Sequence, residues 1–198
     1  MNAEVPNEWI NGCLEAHAAL ARDLVGLTDT AARQPSMLPG WSVGHVLTHL
    51  ARNADSVVRR LEGAIRGEVL DQYQGGLAGR SAAIEAGANR SAAELVADVT
   101  ATATAVDVLI TTLPNQAWDA SSRTSRGVLE DSRHVVFSRW REVVVHHGDL
   151  GLGPVPLPAA LVNAWLPMEL AALAQRCDPA QLLAWVIGRG PAPELDPW

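Results

Sequence analysis

The 198-residue chain contains no lysine: all 15 basic residues are arginine. That absence removes whole classes of chemistry. No Schiff base to lysine can form, which excludes lysine-bound pyridoxal phosphate enzymes and class I aldolases, and no phosphate-loop or kinase-type lysine exists. Phe and Tyr are scarce, one of each against seven Trp. The two cysteines, Cys13 and Cys177, form no CxxC or zinc-knuckle spacing. No signal peptide is visible, so they are expected as free thiols in a reducing cytoplasm. No long run of basic residues exists and the net charge is −7, which argues against a nucleic-acid partner. Apolar runs fall well short of the ~18–20 residues a membrane span needs. The G-x-S-x-G, GxGxxG and H-E-x-x-H patterns are absent.

What is present is helical periodicity on a chain with 48% apolar residues, enough for a packed globular core in one sizeable domain with a short appendage. Residues 7–27 carry Ile10, Leu14, Leu20, Leu24 and Leu27 at helical spacings. Leu38-Pro39-Gly40-Trp41 breaks the chain, and Ser42 is placed to cap a second long helix ending at Gly67. Val43, Val46, Leu47, Leu50, Ala54, Val57, Leu61 and Ile65 form its apolar stripe. Residues 68–90 are expected as a loop with a short helical piece. Ser91 to Glu94 is a capping box opening a third helix to about Leu113, with Pro114 beyond it. Residues 115–130 look polar and irregular. Asp131-Ser132 caps a fourth helix running to Leu150, and a proline-rich linker leads to helices near 159–176 and 180–188. The pattern predicts an all-α fold, an antiparallel four-helix bundle with a short, mostly helical C-terminal extension.

Two pairs have informative spacing. His45 and His49 are i, i+4 on the second helix, and Glu142 and His146 are i, i+4 on the fourth. Such pairs share one helix face, one turn apart, as bundle metal sites require. A helical wheel puts His49 at the flank of the apolar stripe near Asn53 and Arg60, with His45 pointing further away. Arg139, Glu142, His146 and Asp149 form a polar stripe beside Val136, Trp140, Val143, Val144 and His147. His49, Glu142 and His146 can therefore meet, and two imidazoles with one carboxylate suit an open Zn²⁺ site. The same spacings also arise from a solvated Glu–His surface pair, a capping or core histidine, or a site made by His45 and His49 alone. His147 is expected as a buried, hydrogen-bonded histidine, and Cys13 as core packing. Asp149 can orient a metal-bound imidazole or lie exposed at a helix end. Arg189, between two glycines, can clamp a carboxylate or cap helix carbonyls.

The segment from Leu38 to Ala54, LPGWSVGHVLTHLARNA, resembles the GW…H…HLAxNA signature of mycothiol-dependent maleylpyruvate isomerases, which are DinB-like metal-binding four-helix bundles. Arg141 to Gly151 resembles the second signature, R-E-V-x-x-H-x-x-D-L-G, and Arg80 to Glu85 matches R-x-x-x-I-E. The resemblance spans about residues 6–152 and returns at Leu182–Gly190 and at the terminal Pro197-Trp198. It implies a DinB-like metal-binding bundle over 1–152. It also implies a shortened extension over 153–198, the remnant of an α/β C-terminal domain that full-length members carry.

The resemblance further implies zinc held by His49, Glu142 and His146, with Arg80 and Arg189 as catalytic residues and Asn53 and Arg80 as thiol-binding residues. The implied activity is conversion of maleylpyruvate to fumarylpyruvate by reversible addition of a metal-activated mycothiol thiolate to a cis double bond. The implied partners are a small-molecule substrate and a low-molecular-weight thiol, in the cytoplasm, with no nucleic acid and no membrane. An actinobacterial source, where mycothiol is the usual thiol, agrees with the GC-rich codon usage that an Ala- and Arg-rich chain suggests. A mycothiol S-transferase is the alternative on the same site, and a non-catalytic binding or dimerisation module the alternative of another class. A homodimer through the first helix or the Trp-bearing C-terminal helices is compatible with the pattern.

Overall fold

The computed structural model describes residues 5–195. Helix α1 spans Asn7–Asp23, α2 Asp29–Ala32, α3 Val43–Arg66, α4 Gly76–Gly87 and α5 Ala92–Thr112. A 3-10 turn at Asn115–Ala117 leads to strands β1 (Ser121–Arg123) and β2 (Leu129–Asp131). Then come α6 (Ser132–Asp149), α7 (Ala159–Ala172), a second 3-10 turn at Leu173–Gln175, and α8 (Pro179–Val186). The chain divides into two compact units, one ending at Pro156 and one starting at Leu157.

Local signals set the helix ends. Ser42 accepts from the backbone N–H of His45, while His45 Nδ1 accepts from the N–H of Ser42 at 3.2 Å, a capping box with histidine in the usual glutamate position. Gly67, at φ 73°, ends α3 in the left-handed conformation that glycine adopts without steric cost. Ser91 and Glu94 cap α5 reciprocally, and Asp131 caps α6 by accepting from His134 N–H at 2.9 Å.

Helices α1, α3, α5 and α6 form the four-helix bundle, with α3 central to it. Val46, Leu47, Leu50, Ala54 and Leu61 of α3 are fully buried, each larger side chain contributing roughly 1.5–3 kcal/mol. Ile65 leaves the expected stripe, 44% exposed in the last turn, where Ala64 takes the inward position. Close packing depends on glycine at two points: a Cβ on Gly12 would enter the Trp140 ring, and one on Gly44 the carbonyl of Ala88. Contacts at His49–Glu142 and Asn53–Arg139 show that α3 and α6 run antiparallel. Helix α1 runs beside α6 in the same direction, Trp9 against Phe137 near one end and Asp23 against His147 near the other.

Three details differ from the sequence expectation. The loop at 68–90 holds a full three-turn helix, α4. The irregular 115–130 stretch contains the β1–β2 hairpin, whose three-residue strands are too short to show alternation. Arg60 of α3 anchors it, donating to Ser122 at 2.9 Å and pairing with Glu130. Helix α5 has the length and composition to cross a membrane, which the apolar runs did not suggest. Here it packs Leu95, Val99, Ala103, Val106 and Ile110 inward, and its Asp98 and Asp107 pair with Arg52 and His17. In the second unit, Asp178 caps α8 through Ala180 and Gln181, and Arg176 pairs with Glu169 at 2.7 Å. Pro197 and Trp198 lie outside the described residues.

Candidate metal centre

Helix α3 supplies His49, and α6 supplies Glu142 and His146 from successive turns. His49 Nε2 lies 3.0 Å and His146 Nε2 3.4 Å from the same oxygen, Glu142 Oε2. The two imidazoles meet edge to face, centroids 4.7 Å apart. One ligand atom from each residue lies within 4.8 Å of the other two. Tetrahedral ligands at ~2.1 Å from a Zn²⁺ ion sit roughly 3.4 Å from each other, so the donor set and its spacing fit a divalent cation with one position left open. The geometry selects among the arrangements the sequence left open. His45 is committed to the α3 cap and lies 3.4 Å from Glu85, so it is not part of this cluster.

The surroundings orient each donor. His146 Nδ1 is 2.8 Å from Asp149 Oδ2, which keeps the proton on Nδ1 and turns Nε2 toward the cluster. Burial alone would raise the Glu142 carboxyl, but hydrogen bonds from His146 and His49 and their charges outweigh it, so it stays ionised well below the usual range. Burial lowers His49 despite its bond to Glu142. For His146 the bonds and charges of Glu142 and Asp149 overcome burial and raise it. Trp41 and His49 meet in a T-shaped contact, centroids 5.7 Å apart.

Arg80, on α4, approaches the same cluster. Its Nη2 is 3.2 Å from His49 Nδ1, and its guanidinium lies 5.8 Å from the ring centroids of both Trp41 and Tyr73. Asn53 sits one turn beyond His49 but is buried, and its Oδ1 accepts from Arg139 Nη1 at 2.9 Å. Arg139, which the helical wheel places on the polar stripe, is buried in the bundle core. It also donates to Leu50 O at 2.8 Å and, through Nε, to His17 at 3.0 Å. His17 in turn lies 2.6 Å from Asp107, so one polar chain ties all four helices together directly beneath the metal cluster. No spacing signals this chain, because its members are single residues on four helices.

Arg189 belongs to the second unit and is exposed, its Nη1 3.3 Å from the carbonyl of Gly188. Cys13 is fully buried, and burial pushes its thiol up to about 12, so it is a protonated packing group and not a nucleophile. His147 is buried as expected, 3.0 Å from Asp23.

Comparison with known proteins adds three findings. Residues 13–151 match the family model of the mycothiol maleylpyruvate isomerase N-terminal domain. The crystal structure of the mycothiol-dependent maleylpyruvate isomerase superposes with a TM-score of 0.73 at 22% identity. That of a histidine-to-alanine mutant gives 0.75 at 21%. Both matches cover 79% of this chain, and the chain spans 66% of the length of those proteins. No curated protein gives a significant match. The matched segment contains α3 and α6 with His49, Glu142 and His146, and the chain belongs to the mycothiol maleylpyruvate isomerase N-terminal domain family.

Proposed function

We propose that this protein is a zinc- and mycothiol-dependent cis–trans isomerase acting on maleylpyruvate or a close relative. The observation that carries the reading is the convergence of His49 and His146 on one oxygen of Glu142, at 3.0 and 3.4 Å, beside Arg80. Zinc bound there would supply Lewis acidity that keeps a thiol sulfur deprotonated near neutral pH. The chain's cysteines leave that role to an external thiol: Cys13 is sealed in the core, and Cys177 donates to the Leu173 carbonyl in the second unit.

The residues around the cluster divide the remaining work. The sulfur adds to one carbon of the cis double bond, and the electron pair moves onto the conjugated carbonyl oxygen. The former double bond rotates as a single bond, and expulsion of the sulfur restores it in trans form with no net change of atoms. Arg80 suits the carboxylate and the developing enolate, because a guanidinium donates two parallel hydrogen bonds and keeps its charge. If His49 held the metal, its ring proton would sit on Nδ1, and Arg80, a donor only, would be free to bond a substrate carboxylate. Trp41 shields His49 from water, and Asp149 fixes the His146 ring. The reading places the protein in the cytoplasm, where low-molecular-weight thiols are held reduced.

Turnover of maleylpyruvate with mycothiol by the metal-loaded protein tests the proposal. Fumarylpyruvate formation that needs both thiol and metal supports it. Conjugation of generic electrophiles without isomerisation would instead make the protein a mycothiol S-transferase. A chain that takes up no metal would be a binding module.

A further inference from the structure

A cavity of about 250 Å³ lies behind Arg80, lined among others by Arg52, Arg59, Tyr73 and Arg80 and by one carboxylate, Asp55, which is paired with Arg52. It opens between α3 and the segment that leads into α4. The arginines differ in how their charge is spent. Arg52 pairs with Asp55 at 3.0 Å and Asp98 at 2.7 Å, so it is neutralised within the protein. Arg59 donates to a neutral group, the backbone carbonyl of Asp71, and forms no ion pair with a carboxylate of the described residues. Arg80 touches His49 and the faces of Trp41 and Tyr73, and likewise has no carboxylate partner among the described residues.

Two guanidinium groups without counter-ions therefore face one small cavity, and Arg80 connects it to the metal cluster. Guanidinium forks match carboxylate geometry, and an uncompensated pair of them favours an anionic group over a neutral one. The volume is that of about eight water molecules, which suits the end of a short-chain acid.

We propose that this cavity is a carboxylate subsite. Arg59 and Arg80 together grip the carboxylate of the substrate end that points away from the metal cluster. This assignment rests on the isomerase reading of that cluster. It makes Arg59 a specificity residue, with Arg80 shared between the reacting end and the anchored end.

Calorimetric titration of maleate into the zinc-loaded full chain at low ionic strength tests it, with inorganic phosphate as the competing anion and zinc content measured on the same samples. Arg59→Gln is expected to weaken maleate binding about tenfold or more while zinc content stays that of the wild type. Arg59→Lys keeps a donor for the Asp71 carbonyl and guards against a folding defect. It is expected to lose less affinity, because an ammonium cannot form the fork. Equal maleate affinity in wild type and R59Q overturns the subsite. So does phosphate binding as tight as that of maleate with the same dependence on Arg59. Maleate binding that still depends on Arg59 in a chain that takes up no zinc upholds the subsite and refutes the isomerase reading instead.

Discussion

Arg139 donates to Asn53 Oδ1 at 2.9 Å, one helical turn from His49 on α3 and one turn from Glu142 on α6. Because the two helices run antiparallel, this bond lies beside the His49–Glu142–His146 cluster and sets the register in which His49 meets Glu142. Asn53→Ala leaves one donor of a fully buried guanidinium with only the Leu50 carbonyl, a loss of about 1–3 kcal/mol of folding stability. It is expected to weaken zinc binding roughly tenfold, read by competition with a chromogenic chelator, since loss of supporting groups commonly costs 10–100-fold. Zinc affinity equal to wild type would show that the bond serves folding alone.

Arg80→Gln separates substrate binding from metal binding. The variant is expected to keep its zinc and to lose about 100-fold in kcat/KM, the equivalent of roughly 2–3 kcal/mol of charge-assisted hydrogen bonding. Metal analysis and steady-state kinetics on the same preparation decide the matter. A parallel loss of zinc would mean that Arg80 supports the ligands and not the substrate.

The burial of His17 gives the fold a pH dependence. Burial lowers His17 from its ordinary 6.5, against the opposing hydrogen bond to Asp107. The unfolded chain therefore takes up a proton near pH 6.5 that the folded chain takes up only at lower pH. Stability from this group is complete above that value and falls as pH drops from 6.5 toward the folded value, by up to about 1.4 kcal/mol per pH unit. His49 and His147 shift in the same direction, so His17→Gln removes one share of the slope. Urea midpoints from pH 4.5 to 8 in a metal chelator should show a shallower acid limb in the variant. Parallel limbs would mean that His17 does not titrate differently on folding.

Two glycines make a paired test of the packing. A Cβ on Gly44 would meet the carbonyl of Ala88, a backbone group that cannot turn aside. Gly44→Ala is expected to cost at least about 1–3 kcal/mol by overpacking. Gly148, in α6, has nothing within 4 Å of an added Cβ, and Gly148→Ala is expected to stabilise by about 0.5–1 kcal/mol. A Gly44→Ala midpoint at or above that of the wild type would contradict the packing of α3 on the α4 terminus, and a lowered Gly148→Ala midpoint would contradict the open space at Gly148.

The helices and the ligand pairs were legible because both depend on local spacing. Ser42 and Gly67 mark the ends of α3, and Glu142 and His146 share a face through their own separation on α6. The pairing of His49 with Glu142 bridges 93 positions, and the two motifs suggest it only jointly. Arg139 shares its helical-wheel stripe with Glu142 and His146, but a wheel gives direction and not depth: the guanidinium is buried, with Nε and Nη1 bonded to His17, Asn53 and Leu50 and Nη2 without a hydrogen-bond partner among the described residues. Arg59 and Tyr73 carried no signal at all. Their meaning comes from a cavity formed where the α3–α4 connection folds back on α3.

The central claim is that His49, Glu142 and His146 form one metal site. Equilibrium dialysis of the purified chain against zinc, followed by elemental analysis, tests it most directly. The account predicts about one tightly held ion per chain, lost in both His49→Ala and Glu142→Ala and retained in His45→Ala. A chain that binds no zinc, or one whose zinc survives both ligand substitutions, would contradict it.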